Sequence, residues 1–248
     1  FGVAGVTDFV IVGDSHAGSI SSELASELLK RPDTSGVTLA SSKGCPFFVD
    51  VVTDNAKHND CAHRNELALR QIVGWHPKVV IVAARWAVMA STVRAPGDGK
   101  MPVRLLEAAD ESKQVSLTDA LVRTVRYIQA HGIQVMLVGP VPEIDFDVPD
   151  ALTRHLWYGA PMTQTLKQDF NLRQREVFKA LDTVSAATGS RVAYPDHVLC
   201  DAVHCRTVVQ GRSLYSDDDH LSPLGARLVV PEIISVAAQA FPLRAQQK

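Results

Sequence analysis

Asp8-Phe9-Val10-Ile11-Val12-Gly13-Asp14-Ser15-His16 is the stretch on which the fold of this chain turns. Its run Phe9 to Val12 is apolar at consecutive positions, so both faces of a strand here would be covered, as in a parallel sheet. The pattern then changes period. From Ala17 to Lys30, Ile20, Leu24 and Leu28 recur at i, i+4 and i+8, which lays one apolar stripe along a helix. A strand running through a short turn into a helix puts that turn at the carboxyl edge of the sheet. Ser15 then stands beside a helix N-terminus, where free N–H groups can receive negative charge.

The same alternation continues outward. After residues 8–12, strands are expected at 37–40, 78–84, 133–138 and 191–194. Besides residues 17–30, helices are expected at 117–131, capped by Ser116 and stopped by Gly132, and at 163–188, ending at Gly189. That second helix would bury Leu166, Phe170, Val177, Leu181 and Val184. A last helix starts after Ser222 with Pro223 at its first position, and Pro231 should kink or restart it. Five strands separated by helices imply an α/β fold, a three-layer α/β/α sandwich on a five-stranded, parallel, doubly wound sheet. One domain spans residues 1–248, with 1–7 as the end of a linker. Residues 94–114 and 140–161 read as long irregular connections overhanging the carboxyl edge, where such folds bind ligands.

Composition narrows the function. The formal net charge is −2, which gives no nucleic-acid surface and no polybasic membrane face. The most hydrophobic stretch, residues 221–241, is broken by Arg227, Pro231 and Glu232, and a span needs about 18 or more unbroken apolar residues. No transmembrane segment is expected in the chain. It starts at Phe1 without a methionine or an h-region, and reads as a processed protein or a domain cut from a longer one. Cys45, Cys61, Cys200 and Cys205 allow three connectivities; the economical one joins each local pair. An oxidising, extracytoplasmic setting is favoured over four reduced thiols, and the spacing suits no zinc site.

The chemistry rests on two short segments. A serine hydroxyl is a poor nucleophile until a base takes its proton, so Gly13-Asp14-Ser15-His16 alone reads better as a helix cap. The second segment is Tyr215-Ser216-Asp217-Asp218-Asp219-His220-Leu221-Ser222. A histidine three residues after an aspartate can fold back so that Nδ1–H meets the carboxylate and Nε2 faces Ser15. The expectation is Ser15 as nucleophile, His220 as base and Asp217 as the orienting carboxylate. Asp218 and Asp219 are expected to be solvated or capping. No metal is expected, because consecutive aspartates point in different directions.

With these segments the sequence resembles the SGNH/GDSL hydrolase superfamily, whose G-D-S turn matches Ser15 and whose D-x-x-H matches Asp217 and His220. The resemblance implies a flavodoxin-like SGNH fold and an oxyanion site built from Ser15 N–H, a glycine after the second strand and an asparagine after the third. Gly44 matches the glycine. Ala83-Ala84-Arg85-Trp86 stands where the asparagine would be, so Arg85 or the Trp86 indole is the expected substitute donor, against salt-bridged and buried structural roles for the two. His16, Cys45-Pro46, Ala84-Arg85-Trp86, Val138 to Glu143, the late C-x4-C and Asp217-Asp218-Asp219-His220 look like one subgroup, the SGNH domain fused to membrane acyltransferase-3 proteins. His16 is expected to be structural or at the rim. The subgroup implies O-acyl transfer, of acetyl groups, to a cell-surface polysaccharide on the periplasmic side. It implies no cofactor, an acyl donor delivered by a membrane domain, and a saccharide acceptor. A carbohydrate or lipid esterase and a non-catalytic glycan-binding module are the alternatives.

Overall fold

The unit first read at residues 8–30 forms as β1 (Phe9–Gly13) followed directly by α1 (Ser15–Leu28). The computed structural model describes residues 1–54, 60–95, 98 and 103–240. Four further strands join β1 in one parallel sheet: β2 (Val37–Ser41), β3 (Val79–Ala83), β4 (Gln134–Val138) and β5 (Arg191–Ala193). Their order is β2-β1-β3-β4-β5, all pairs parallel. This is the doubly wound order with its switch between β1 and β3, and the crevice outside that switch is where ligands sit in such sheets.

Alternation along each strand builds two cores. Phe9 and Ile11, with Val79, Ile81, Met136 and Val138, face α1 and the last helix. Val10 and Val12, with Val80, Val82, Val135 and Leu137, face α2 (Cys61–Trp75), α3 (Leu117–Ala130) and a long helix at Lys167–Thr188. Burial of each Val, Ile or Leu is worth about 1.5–3 kcal/mol, so the central strands carry much of the folding free energy. Helix α3 follows its expected signals: Ser116 accepts the Asp119 N–H at 3.1 Å, and Leu121, Val125 and Ile128 are fully buried.

Several expectations change. The segment 140–161 is not wholly irregular, because α4 (Val148–Tyr158) forms within it, capped by Asp147. Val148, Leu152 and Leu156 recur in it at i, i+4 and i+8, the same period as in α1, but of its residues only Val148 is buried. Within 94–114, strands Leu105–Glu107 and Asp110–Val115 form an antiparallel ribbon that also pairs with Val51–Thr53. Residues 96–97 and 99–102 of that expected connection lie outside the described residues. The long helix, α5, begins at Lys167, because Thr165–Leu166 pairs with His204–Cys205. The last helix, α6, covers Pro223–Ala240 with Pro231 inside it. A proline there costs about 3 kcal/mol; the buried Val229, Val230, Ile233 and Ala237 offset that loss. Residues 1–7, read as a linker end, lie against the start of β2: Gly2 bridges Gly36, and Phe1 exchanges backbone hydrogen bonds with Val37.

Both local cysteine pairs are disulfides, Cys45–Cys61 and Cys200–Cys205. The first ties the loop after β2 to the beginning of α2. No described helix is long and apolar enough to cross a membrane.

Candidate active site

Two close approaches fix the turn after β1. Gly13 has φ +140°, and a Cβ there would stand 1.8 Å from the Ala83 carbonyl oxygen of β3, so only glycine fits. Asp14 is buried and uses both oxygens. Oδ1 accepts the His16 N–H at 2.8 Å, capping α1, and Oδ2 accepts the Arg85 N–H at 2.8 Å. The turn after β1 is thereby tied to the loop after β3. Half-buried Ser15 is the first residue of α1.

The second loop builds itself around Asp217. Its Oδ1 accepts N–H groups of Asp219 at 2.9 Å and His220 at 2.7 Å. The Ser216 N–H reaches the His220 carbonyl at 2.9 Å. The loop is hung from the segment after β4, since Ile144 N–H donates to the Asp218 carbonyl and Val148 N–H to that of Asp217. This folding brings together side chains 205 positions apart: His220 Nε2 is 2.7 Å from Ser15 Oγ. On the other side of the ring, Nδ1 is 2.7 Å from Asp217 Oδ2 and also 2.7 Å from Asp219 Oδ1.

Asp219 differs from what the sequence suggested. It is buried, neither solvated nor capping, because Arg85 Nη1 stands 2.8 Å from its Oδ2 and the His220 ring covers Oδ1. Burial pushes its pKa up, but the facing His16 and His220 rings and the Arg85 charge outweigh that and hold it well below the carboxylate range. The Asp219 hydrogen bond, opposed by desolvation and helped by Asp217, pushes His220 up to about 9. Ser15, His220, Asp219, Gly44, Lys43 and Arg85 line one cavity of about 280 Å³, whose far wall is Pro46, Val88, Met89 and Val103. It lies at the carboxyl ends of β1 and β3, over the switch in strand order.

Among the described residues, His16, Asp219 and His220 bring ligand atoms within 4.8 Å of one another, as do Asp217, Asp218 and Asp219. The Arg85 guanidinium is on Asp219 in both groups, and N–H groups and the His220 ring are on Asp217 in the second.

The family model described as the SGNH domain fused to AT3 domains matches residues 2–235. The chain belongs to this family. No curated protein matches it. Among solved structures, this SGNH domain is similar to the periplasmic domain of the lipopolysaccharide acetyltransferase of Salmonella ser. Paratyphi A. The TM-score is 0.68 at 18% identity, covering 94% of this chain and 84% of that one. A protein of Slackia heliotrinireducens assigned to the SGNH hydrolases gives 0.50 at 15% identity, over 94% of this chain and all of the other (100%). These likenesses show the fold.

Of the two roles open to each residue after β3, the SGNH domain has Trp86 in the buried one and Arg85 in the salt-bridged one. Trp86 is fully buried and its Nε1–H donates to the Val138 carbonyl at 2.8 Å, so the indole is committed to the core and is absent from the cavity lining. Arg85 does line the cavity, but its guanidinium is held by Glu143 at 2.7 Å, Asp98 at 3.2 Å and Asp219 at 2.8 Å. Gly44 faces the same space as Ser15, with φ +68°. His16 is buried beside His220, their ring centroids 4.9 Å apart, in keeping with a structural place. Sequence reasoning missed Asp14, Asp98, Glu143 and Lys43. Two of them had a readable signal: Asp14 at the cap position before α1, and Glu143 at the end of the segment Val138 to Glu143.

Proposed function

We propose that this SGNH domain is an O-acyltransferase that carries the acyl group on Ser15 and passes it to a saccharide hydroxyl on the extracytoplasmic side of a membrane. The observation that carries the reading is the line of contacts from carboxylate through His220 to Ser15, opening on a cavity at the sheet's carboxyl edge. Membership of a family fused to AT3 domains supports a membrane partner that supplies the donor, and two disulfides support an oxidising setting.

In the first half-reaction the Ser15 hydroxyl attacks the donor carbonyl and its proton passes to neutral His220 Nε2. N–H groups at the start of α1 and at Gly44 receive the oxyanion, since Trp86 is committed elsewhere and the Arg85 charge is balanced by carboxylates. The tetrahedral intermediate collapses to acyl-Ser15, and His220 returns the proton to the leaving oxygen. In the second half-reaction a sugar hydroxyl gives its proton to Nε2 and attacks the ester; His220 then returns that proton to the departing Ser15 Oγ, releasing the O-acylated sugar and free Ser15. With water in place of the sugar, the same steps are hydrolysis.

The test is labelling by a fluorophosphonate together with turnover of a model ester, with and without a saccharide. The wild-type chain should be labelled at Ser15, and Ser15→Ala or His220→Gln should lower turnover by at least about a thousandfold. Full activity in Ser15→Ala would overturn the mechanism. A labelled enzyme that releases only free acid, whatever saccharide is offered, would make it an esterase.

A further inference from the structure

His220 Nδ1 has one hydrogen and two carboxylates within 2.7 Å to receive it. The two differ in everything else that holds them. The Asp217 side chain is 38% exposed, and its other oxygen is occupied by backbone N–H groups of its own loop. The Asp219 side chain is 5% exposed, and its other oxygen meets the Arg85 guanidinium. Arg85 in turn cannot drift, because Glu143 and Asp98 hold it, and both of these also bind Arg173. A contact of equal length is stronger where water is excluded and where a fixed charge prevents the acceptor from turning away.

We propose that Asp219, clamped by Arg85, is the principal positioning residue for His220, while Asp217 chiefly shapes the loop that carries the ring. The inference rests on the reading of Ser15 and His220 given above and deepens it. Four groups face the His220 ring: Ser15 and His16 from α1, and Asp217 and Asp219 from its own loop. Asp218 adds a nearby charge from that loop, Arg85 is reached through Asp219, and Lys43 stands in the lining of the same cavity. Of all these, only Asp219 is both buried and fixed from behind by a cation. Asn in place of either aspartate keeps a carbonyl oxygen to accept the hydrogen bond and removes only the charge, which separates orientation from loop architecture.

Two readouts on the intact chain decide the matter. Fluorophosphonate labelling of Ser15 is followed from about pH 6 to about pH 10, which brackets the imidazole titration, and the His220 ring is titrated by NMR. Asp219→Asn should slow labelling at its optimum about a hundredfold and bring the midpoint of both profiles down by more than about one pH unit. Asp217→Asn should slow it no more than about tenfold and move the midpoint less. Arg85→Lys, which keeps a charge but loses the fork, should fall between wild type and Asp219→Asn. If Asp219→Asn does not fold, Asp219→Glu is read in the same way and should still lower the midpoint by misplacing the charge. The inference is overturned if Asp217→Asn has the larger effect, or if neither Asp219 variant moves the His220 titration. A wild-type chain unlabelled at Ser15 would defeat the proposed function instead, and the NMR titration would still rank the two aspartates.

Discussion

At the scale of single residues, His220 makes stability depend on pH in a direction opposite to that of most carboxylates. Its folded value of about 9 lies above the ordinary 6.5, so the stabilisation from Asp219 and Asp217 is complete below pH 6.5 and disappears as pH rises through about 9. At about 1.4 kcal/mol per pH unit, the alkaline loss is at most about 3.5 kcal/mol. Urea unfolding should therefore show stability falling across that window, and the fall should vanish in His220→Gln. Asp219 behaves in the opposite sense: its folded pKa is depressed, so its contribution is present above the usual carboxylate value of 3.8 and is lost as pH falls through the depressed one. The proposed mechanism needs the neutral ring, so on that reading the rate should climb with pH over the same window in which the fold weakens. Wild-type turnover that is flat between about pH 6.5 and about pH 9 would contradict the environment described for the ring.

At the scale of elements, the connections after β2 and β3 matter more than the helices. Cys45–Cys61 closes a loop of 16 positions that carries Gly44, and Cys200–Cys205 closes one of 5. The chain-entropy model assigns about 3 kcal/mol to the first and about 2 kcal/mol to the second. Replacing Cys45 and Cys61 together by serine should lower the melting temperature more than replacing Cys200 and Cys205, and only the first pair should also slow labelling of Ser15. Equal effects of the two pairs on labelling would mean that the loop keeps its place without the bond. The economical cysteine pairing was legible because each pair is close in sequence. Helix α4 was legible in the period of Val148, Leu152 and Leu156, although Leu156 stays exposed; the outer ribbon strand, Asp110–Val115, was not, because its side chains are mostly exposed and leave no apolar period.

For the whole molecule, the distinguishing feature is a buried charge network between the sheet edge and α5. Glu143, 3% exposed in its side chain, is bound by Arg85 and Arg173, with Gln174 Nε2 at 3.1 Å from its other oxygen. Removing one partner of such a buried set strands the others, at about 3–5 kcal/mol. Glu143→Gln should therefore cost several times what is lost on breaking the exposed Arg154–Asp150 pair of α4, worth about 1 kcal/mol or less. Comparing urea midpoints for Glu143→Gln and Asp150→Asn checks it; similar costs would show that the network is as solvated as the surface pair.

The layers of this protein were legible from local residue pattern alone. Strand and helix periods are local and repeat within a few residues, so the five-stranded parallel sheet, the first turn and the serine, histidine and aspartate of the two motifs could be read before any coordinates. Tertiary structure decided which neighbour each side chain meets. It turned Trp86 into the core toward Val138, set Arg85 among three carboxylates, and buried Asp219 against the very imidazole that follows it in the chain. Adjacent residues differ in sequence by one position but in environment by whichever distant strand or loop arrives beside them, and nothing local to Asp217-Asp218-Asp219 records the arrival of Arg85.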